Sequence, residues 1–502
     1  MRRRAFLAIA GLLAGCTLGP DFKAPEGPKA DAYLPDGPVQ FVSGGITGGE
    51  AQRIVHDLDI PGQWWGVFQS PELNGLIEQA LRANPDIQAA AAAMKVAREN
   101  ARAQRATLFP TLQGNFGAAA NQVPTFLSAP TADPNNYNYS LFTLGLTLTY
   151  NLDLWGANRR QTESLDALAE AQCFQLEGAY LSLASNVVAA AILEASLRAQ
   201  IEGTERIIAT QRDTLDILNR QAGLGAVTGA DVAAQQATLA QLQATLPPLQ
   251  KALAQQRNLL AALTGRYTDQ ALLERFRLDT LKLPQELPLS LPSRMVEQRP
   301  DVRAAEANLH SASALVGVAI ANQFPNITLN ASIATQALTF GTLFGPAQPA
   351  AVAGGSLLQT ILDGGALAAK KRAAQASLEQ ADAQYRSTVL GAFRNVADTL
   401  RALEYDALAL RAAVAAEQAT AISFQIARRR LELGDTTYVF VLAAELAYRQ
   451  AVLARVQAQA ARLTDTAALF QALGGGWWNR NSVADRATRL RCRPPAPNVS
   501  QR

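Results

Sequence analysis

Cysteine and histidine are scarce: three and two residues in a chain of 502. That leaves no material for a metal centre or a thiol framework. His56 and His310 lie in unrelated segments, and no Ser, Cys or Asp stands at the spacing a nucleophile and its base require. No Gly-rich loop ending in Lys-Ser/Thr is present, so the chain has no phosphate-driven energy source of its own. The sequence asks for no cofactor and reads as no enzyme. The net charge of +3 gives no reason to expect nucleic acid. Beyond the first residues there is no unbroken run of about eighteen apolar side chains, which argues against a bundle of membrane helices. Aromatics make up only 6% of a chain that is 49% hydrophobic. Alanine fills the difference, and alanine builds close-packed helices.

What is present begins with a distinct leader. Arg2, Arg3 and Arg4 form a positive segment, Ala5 to Leu13 an apolar one, and Leu13-Ala14-Gly15-Cys16 closes it. Residues 1–15 read as a secretory signal. Leu-Ala-Gly-Cys resembles the bacterial lipobox, which implies that Cys16 becomes the acylated first residue of the mature chain. Thr17, by the sorting rule of that class, directs it to the outer membrane. Arg3-Arg4-Ala5-Phe6-Leu7 leaves both the general and the twin-arginine export routes open.

The central stretch is Ser140 to Gly156. Phe142, Leu144, Leu146, Leu148, Tyr150 and Leu152 alternate with Thr143, Gly145, Thr147, Thr149 and Asn151. Strict period-two alternation over about eleven residues is what a tilted strand needs to cross a bilayer. Trp155 stands at its end, where an interfacial aromatic belongs.

The chain then repeats itself. Asn84-Pro85-Asp86-Ile87 is echoed by Arg299-Pro300-Asp301-Val302, and Phe109-Pro110 by Phe324-Pro325, at one constant offset. Leu224-Gly225 likewise answers Leu433-Gly434, at a slightly smaller offset. Each half reads helix, strand, strand, long helix, tight turn, helix. The fourth strand is expected near Leu357 to Asp363, by analogy with the second. The first helix is expected to run unbroken from Pro71 to Phe109. In the long helices Tyr180, Val187, Glu194, Ile201, Ile208 and Leu215 lie seven apart, as do Val389, Val396, Leu403, Leu410, Glu417 and Phe424. Such seams call for coiled-coil neighbours.

The predicted organisation is a signal peptide (1–15), a lipidated extended arm (16–70), repeat 1 (71–265), a linker (266–292), repeat 2 (293–475) and a basic tail (476–502), disordered or loosely packed from Asn479 on. The fold class is mainly α with a membrane β portion. Four strands cannot close a barrel, and lipid does not tolerate an open edge, so the chain must associate.

The sequence resembles the outer membrane efflux factors of the TolC and OprM type, and most of all their NodT-type lipoprotein branch. The resemblance rests on Cys16-Thr17-Leu18-Gly19-Pro20-Asp21-Phe22, Trp64-Trp65 with Phe68 and Pro71, Leu76-Ile77 with Ala80-Leu81 and Asn84, Phe109-Pro110, Asp153 with Gly156, and Asp363-Gly364-Gly365. It covers nearly the whole chain to about Trp478. It implies a homotrimer whose strands form a twelve-stranded outer-membrane β-barrel continued by a periplasmic α-barrel. Its implied partners are outer membrane lipid, a periplasmic adaptor protein and an inner-membrane pump of the RND type. It implies that the adaptor docks on two helix turns, through Arg220, Leu224, Gly225, Thr228, Arg429, Leu433, Gly434 and Thr436. The family's apolar gate position falls on Val439, and its acidic one on Ala443, which carries no charge. Either Asp435 or Asp231 would supply an acidic ring instead, or closure is mainly apolar; both aspartates also suit helix caps or first turns. Asp153, Gly156, Asp363, Gly364 and Gly365 form the strand-to-helix turns, with capping the simpler role for the two aspartates.

Two other readings compete: a conduit for type I protein secretion, and a structural coiled-coil lipoprotein that does not conduct. Alternating strands speak against the second, since a spacer needs none. Cys173, on an apolar helix, is expected to be inert and not bonded to Cys492, and His310 to be a plain helix-surface residue. The exported cargo is not legible.

Overall fold

The computed structural model describes residues 17–27, 32–35, 45–46, 49–56, 58–122, 138–269, 276–290, 292–345 and 349–480. The signal segment, Cys16 and the chain beyond Arg480 lie outside them. In order, the elements are β1 (Arg53–His56), a 3-10 turn (Trp64–Phe68), α1 (Pro71–Ala83), α2 (Pro85–Ala106), β2 (Thr111–Gln122) and β3 (Asn138–Leu152). Then come α3 (Ala157–Gly223), α4 (Gly229–Leu263), β4 (Glu286–Leu289), α5 (Pro292–Gln298) and α6 (Pro300–Ala321). The last are β5 (Asn326–Ala337), β6 (Ala350–Leu358), α7 (Ala366–Glu432) and α8 (Tyr438–Ala472). Matching elements of the two halves have equal lengths: 67 residues in α3 and α7, 35 in α4 and α8, and 22 in α2 and α6.

The chain forms two compact units. One comprises residues 1–25, 94–172 and 305–385 and contains a four-stranded antiparallel sheet in the order β2-β3-β5-β6. Its register sets Leu146 opposite Gly114 on one side and Ile333 on the other, and Leu148 opposite Leu112 and Ala331. Because side chains alternate faces, this register gathers Leu112, Phe116, Leu144, Leu146, Leu148 and Ile333 on one face. All six are exposed, from 39% for Leu148 to 66% for Leu112. The opposite face carries Gln113, Asn115, Thr143, Thr147, Thr149 and Asn330. β2 and β6 are the sheet's outer strands, each paired on one side only.

The other unit comprises residues 26–93, 173–304 and 386–502. Its core packs Trp64 and Phe68 of the 3-10 turn with Leu73, Leu76 and Ile77 of α1 and Phe470 of α8, all 2% exposed or less. Trp64 stacks on Phe470 at 5.6 Å between ring centroids. The middle of each heptad seam is buried, with Val187 on α3 and Val396, Leu403 and Leu410 on α7 fully covered, while Tyr180, Ile201, Leu215, Val389 and Phe424 are half-buried. Their polar members are paired with cations, Glu194 first with Arg198 on its own helix. Glu194 pairs with Arg257 of α4 at 3.3 Å, and Glu417 with Arg455 of α8 at 2.5 Å.

Four expectations need correction. The first helix is broken at Asn84, whose Oδ1 accepts from the amides of Asp86 and Ile87 at 2.8 and 3.3 Å and starts a new helix at Pro85. β6 runs Ala350–Leu358 and so overlaps the expected Leu357–Asp363 only at its last two residues. Its sequence, AAVAGGSLL, has no alternation to read, and it becomes a strand through its pairing with β5. The arm is not merely extended: its Arg53–His56 pairs in parallel with Glu286–Leu289 of the linker. The first two residues of the stretch expected to be loose are held: Asn479 Nδ2 donates to the Ile60 carbonyl at 2.8 Å, and Arg480 pairs with Glu177.

Candidate functional site

The two helix–helix turns are built alike. α3 ends as Gly225 enters the left-handed region (φ 73°) and Ala226 N donates back to Gln221 O at 2.9 Å. α7 ends as Gly434 does the same (φ 74°) and Asp435 N donates to Arg430 O at 2.9 Å. These bonds satisfy last-turn carbonyls, and glycine takes the positive φ without strain. The residues before them, Leu224 and Leu433, project into solvent at 85% and 70% exposure. Each tip thus offers an isolated apolar side chain, with Arg220 one turn back on the first and Arg429 on the second.

The helices that follow are capped differently. Thr228 and Asp231 form a reciprocal capping box at the start of α4, with Thr228 N donating to Asp231 Oδ2 at 2.8 Å. The Thr228 hydrogen bonds hold the Asp231 carboxyl below its ordinary value. At α8 the cap is Thr437, whose Oγ1 accepts from Phe440 N at 3.4 Å, and Thr436 stays in the turn. Asp435 is therefore neither a cap nor a first-turn acid. It takes the Arg430 guanidinium at 2.8 Å instead. Val439 follows in the first turn of α8, 41% exposed.

The strand-to-helix turns obey the same economy. Asp153 Oδ1 accepts from Asn158 N at 3.0 Å and Oδ2 from Arg159 N at 2.9 Å, which tethers the first turn of α3. Asp363 accepts from Gly365 N and Leu367 N at 2.8 and 2.7 Å ahead of α7, and these amides lower its carboxyl from the ordinary value. Gly156, Gly364 and Gly365 all have positive φ. Trp155 donates from its indole to Pro325 O at 2.9 Å and stacks on Phe324 at 4.9 Å, which ties the end of β3 to the start of β5.

Sequence reasoning missed the seat of the N-terminal arm. Leu18 N donates to Trp155 O at 3.2 Å, and Arg160 donates to Leu18 O at 3.2 Å, Asp21 Oδ1 at 2.7 Å and Glu163 Oε2 at 2.8 Å. His310 stacks on Phe22 at 4.3 Å and bonds Glu163 at 2.9 Å, so it is no bare surface residue. Burial would push the Glu163 carboxyl up. Hydrogen bonds and charge from Arg160 and His310 outweigh it and hold the carboxyl below the usual value. A Cβ on Gly19 would stand 2.4 Å from the Gly317 Cα, so the arm lies backbone to backbone on α6. Arg159-Arg160 and Gly317 gave no signal, because the partner segment is more than a hundred residues away in the chain.

A second cluster joins α7 and α8. Arg462 is fully buried and donates to Glu50 O at 2.6 Å. Nearby, burial pushes the Asp465 carboxyl up to about 7, assisted by its hydrogen bond with Asp406 and the charge there. Cys173 also departs from expectation. It is buried and disulfide-bonded, with the other half of the bond outside the described residues. The lipidation expected at Cys16 and the expectation for Cys492 lie outside them too.

The family model described as "Outer membrane efflux protein" matches residues 76–266 and again 291–475. Over 478 residues the chain is 28% identical to the antibiotic efflux pump outer membrane protein ArpC of Pseudomonas putida, covering 95% of this chain and 96% of ArpC. It is 29% identical to the pyoverdine export outer membrane protein OpmQ of Pseudomonas aeruginosa over 417 residues, 83% of this chain and 87% of OpmQ. Among solved structures, the outer-membrane channel OprN superposes with a TM-score of 0.78 at 27% identity, over 92% of this chain and all of OprN (100%). The open state of the MtrE outer membrane channel of Neisseria gonorrhoeae gives 0.79 at 26% identity, over 93% of this chain and 100% of MtrE.

Proposed function

The chain belongs to the outer membrane efflux protein family, and we propose that it works as the passive exit duct of a tripartite pump. The observation that carries this reading is the open four-stranded sheet with one apolar and one polar face. In a bilayer every backbone N–H and C=O needs a partner, so β2 and β6 must pair with strands of other copies. Three copies supply twelve strands, turn the leucine face to lipid and leave the Thr, Asn and Gln face lining an aqueous lumen. The family likeness favours three copies over two. The matched lengths of the helices in the two halves give such a trimer six near-equivalent hairpins.

The reading extends to both ends. Cys16, acylated, anchors the arm in the outer membrane, and the helical portion hangs in the periplasm. The turns at Leu224-Gly225 and Leu433-Gly434 present apolar tips for the helical hairpins of a periplasmic adaptor, which couples the duct to an RND-type transporter. Val439 narrows the closed state. Because Asp231 and Asp435 are engaged with Thr228 and Arg430, closure is mainly apolar. Relatives whose names speak of antibiotics and of pyoverdine fit a cargo chosen upstream.

The test is direct. Purified protein should behave as a detergent-dependent trimer and pass current across planar bilayers when Val439 is replaced by Ser. A detergent-independent monomer that never conducts would end the proposal.

A further inference from the structure

The connection between β5 and β6 is apolar where loops are ordinarily polar. It contains a 3-10 turn, Gly341–Phe344, and no charged residue stands between Phe324 and Asp363. We propose that this turn is a membrane anchor, seated in the outer leaflet where acyl chains meet headgroups. The anchor rests on the membrane reading of the sheet given above.

The rings place the turn. Phe340 meets Phe116, Phe142 and Phe344 edge-on, at 6.2, 6.0 and 5.5 Å between centroids. Phe116 stands opposite Leu144, and Phe142 is two residues before it, so both belong to the leucine face. The chain therefore leaves β5, folds back past β3 and reaches β2 on the leucine face, not over the polar one. Leu343 is buried, while Phe116, Phe340 and Phe344 each remain more than half exposed. Three open rings side by side form an apolar surface of the kind that marks an interaction.

The backbone of the turn suits a dry boundary, because its polar atoms satisfy one another. Thr342 Oγ1 donates to Thr339 O at 2.9 Å and lies 2.8 Å from Thr339 Oγ1. Leu343 N donates to Phe340 O at 3.3 Å, and Gly345 N to Thr342 O at 3.2 Å. Left unpaired, such groups would be costly away from water.

The height also fits. From Phe142 to Leu152 β3 advances about 34 Å, or about 26 Å along the membrane normal at a tilt of about 40°. An outer-membrane barrel has an apolar band about 25 Å tall, with aromatic side chains at both interfaces. The Trp155–Phe324 stack lies past the helix-side end of that band, and the Phe340 cluster lies at the other. With no Lys or Arg to meet phosphates, the turn fits the hydrocarbon boundary and not the headgroups themselves. A second copy is a poorer occupant. Neighbouring sheets would join at the outer strands β2 and β6, whereas the turn lies on the face.

The experiment uses the full chain carrying Phe344→Trp or Leu146→Trp, reconstituted into phosphatidylcholine vesicles brominated near the headgroup or at the chain ends. The added emission is read against the parent protein, which has five tryptophans. Phe344→Trp should lose roughly half its added emission or more to the shallow bromines, and far less to the deep ones or to iodide in the water. Phe340→Trp should repeat the result. Leu146→Trp, near the middle of the band, should be quenched chiefly by the deep bromines. If it is, three results at Phe344 overturn the anchor and leave the duct standing. Quenching by iodide would put the turn in water, quenching chiefly by the deep bromines would put it at the midplane, and quenching by neither would mean that protein covers it. If no brominated lipid quenches Leu146→Trp, the membrane reading fails and the anchor falls with it.

Discussion

Arg299 Nη1 donates to the carbonyl of Ala472 at 2.7 Å, at the end of α8. In the other half Asn84 Nδ2 donates to the carbonyl of Leu263 at 3.0 Å, at the end of α4. Each residue stands just before the Pro that opens the next helix, and each holds the returning helix against it. Gly265 and Gly474 complete the joint, since a Cβ on either would stand 2.6 or 2.7 Å from the carbonyl oxygen of Ala83 or Gln298. Arg299 is also paired with Asp301 at 2.6 Å and has a side chain only 9% exposed. Arg299→Ala strands a buried carbonyl and should cost about 1–3 kcal/mol. Thermal melts should show the loss, and Arg299→Lys should recover part of it.

The apolar tips answer to function and leave stability alone. Leu224→Asp combined with Leu433→Asp touches two strongly exposed side chains, so the melting temperature should stay within error. Cross-linking to the adaptor should fall at least about tenfold, a loss of roughly 1.4 kcal/mol. Unchanged cross-linking would place the docking surface elsewhere.

Neighbouring residues of β3 should behave oppositely. Leu146→Arg puts a charge on the lipid face and should destabilise the assembled barrel by about 2–4 kcal/mol if it sits near the midplane. Thr147→Arg faces the other way and should assemble normally while shifting ion selectivity. Equal penalties would mean the sheet does not separate lipid from water.

Asp465 makes stability depend on pH. Its folded value is about 7 against 3.8 for the ordinary group, so the folded state holds an extra proton between those limits. Stability therefore declines as pH rises through that window and levels off above it. Asp465→Asn removes the titration and should gain on the parent protein as pH is raised from about 4 to about 8. A difference in melting temperature that is the same at every pH would show that the carboxyl titrates normally.

The arm's seat depends on absent side chains. Gly317→Val places its Cβ 2.8 Å from Leu18 O and should unseat residues 17–22. Limited proteolysis should then cut near Phe22, while His310→Ala, which removes only the stacked ring and one hydrogen bond, should have a smaller effect.

Much of this was legible because it is periodic. Alternation located β3, and the seven-residue seam located the buried face of α3 and α7. Left-handed turns were found from Gly225 and Gly434. What escaped had no period. β6 is small residues held by its neighbour, β1 and β4 find each other across more than two hundred residues, and Phe22 meets His310 only in the folded chain.

The sequence by itself determined the elements, their duplication, the glycine-closed turns and the one-faced apolar strands, since each depends on residues close together in the chain. Only the tertiary structure decided which acid takes which cation, where Thr437 displaces Asp435 from the cap, how the arm is seated and that the Cys173 sulfur is bonded. Those outcomes depend on distances between residues far apart in sequence, and no local pattern encodes them.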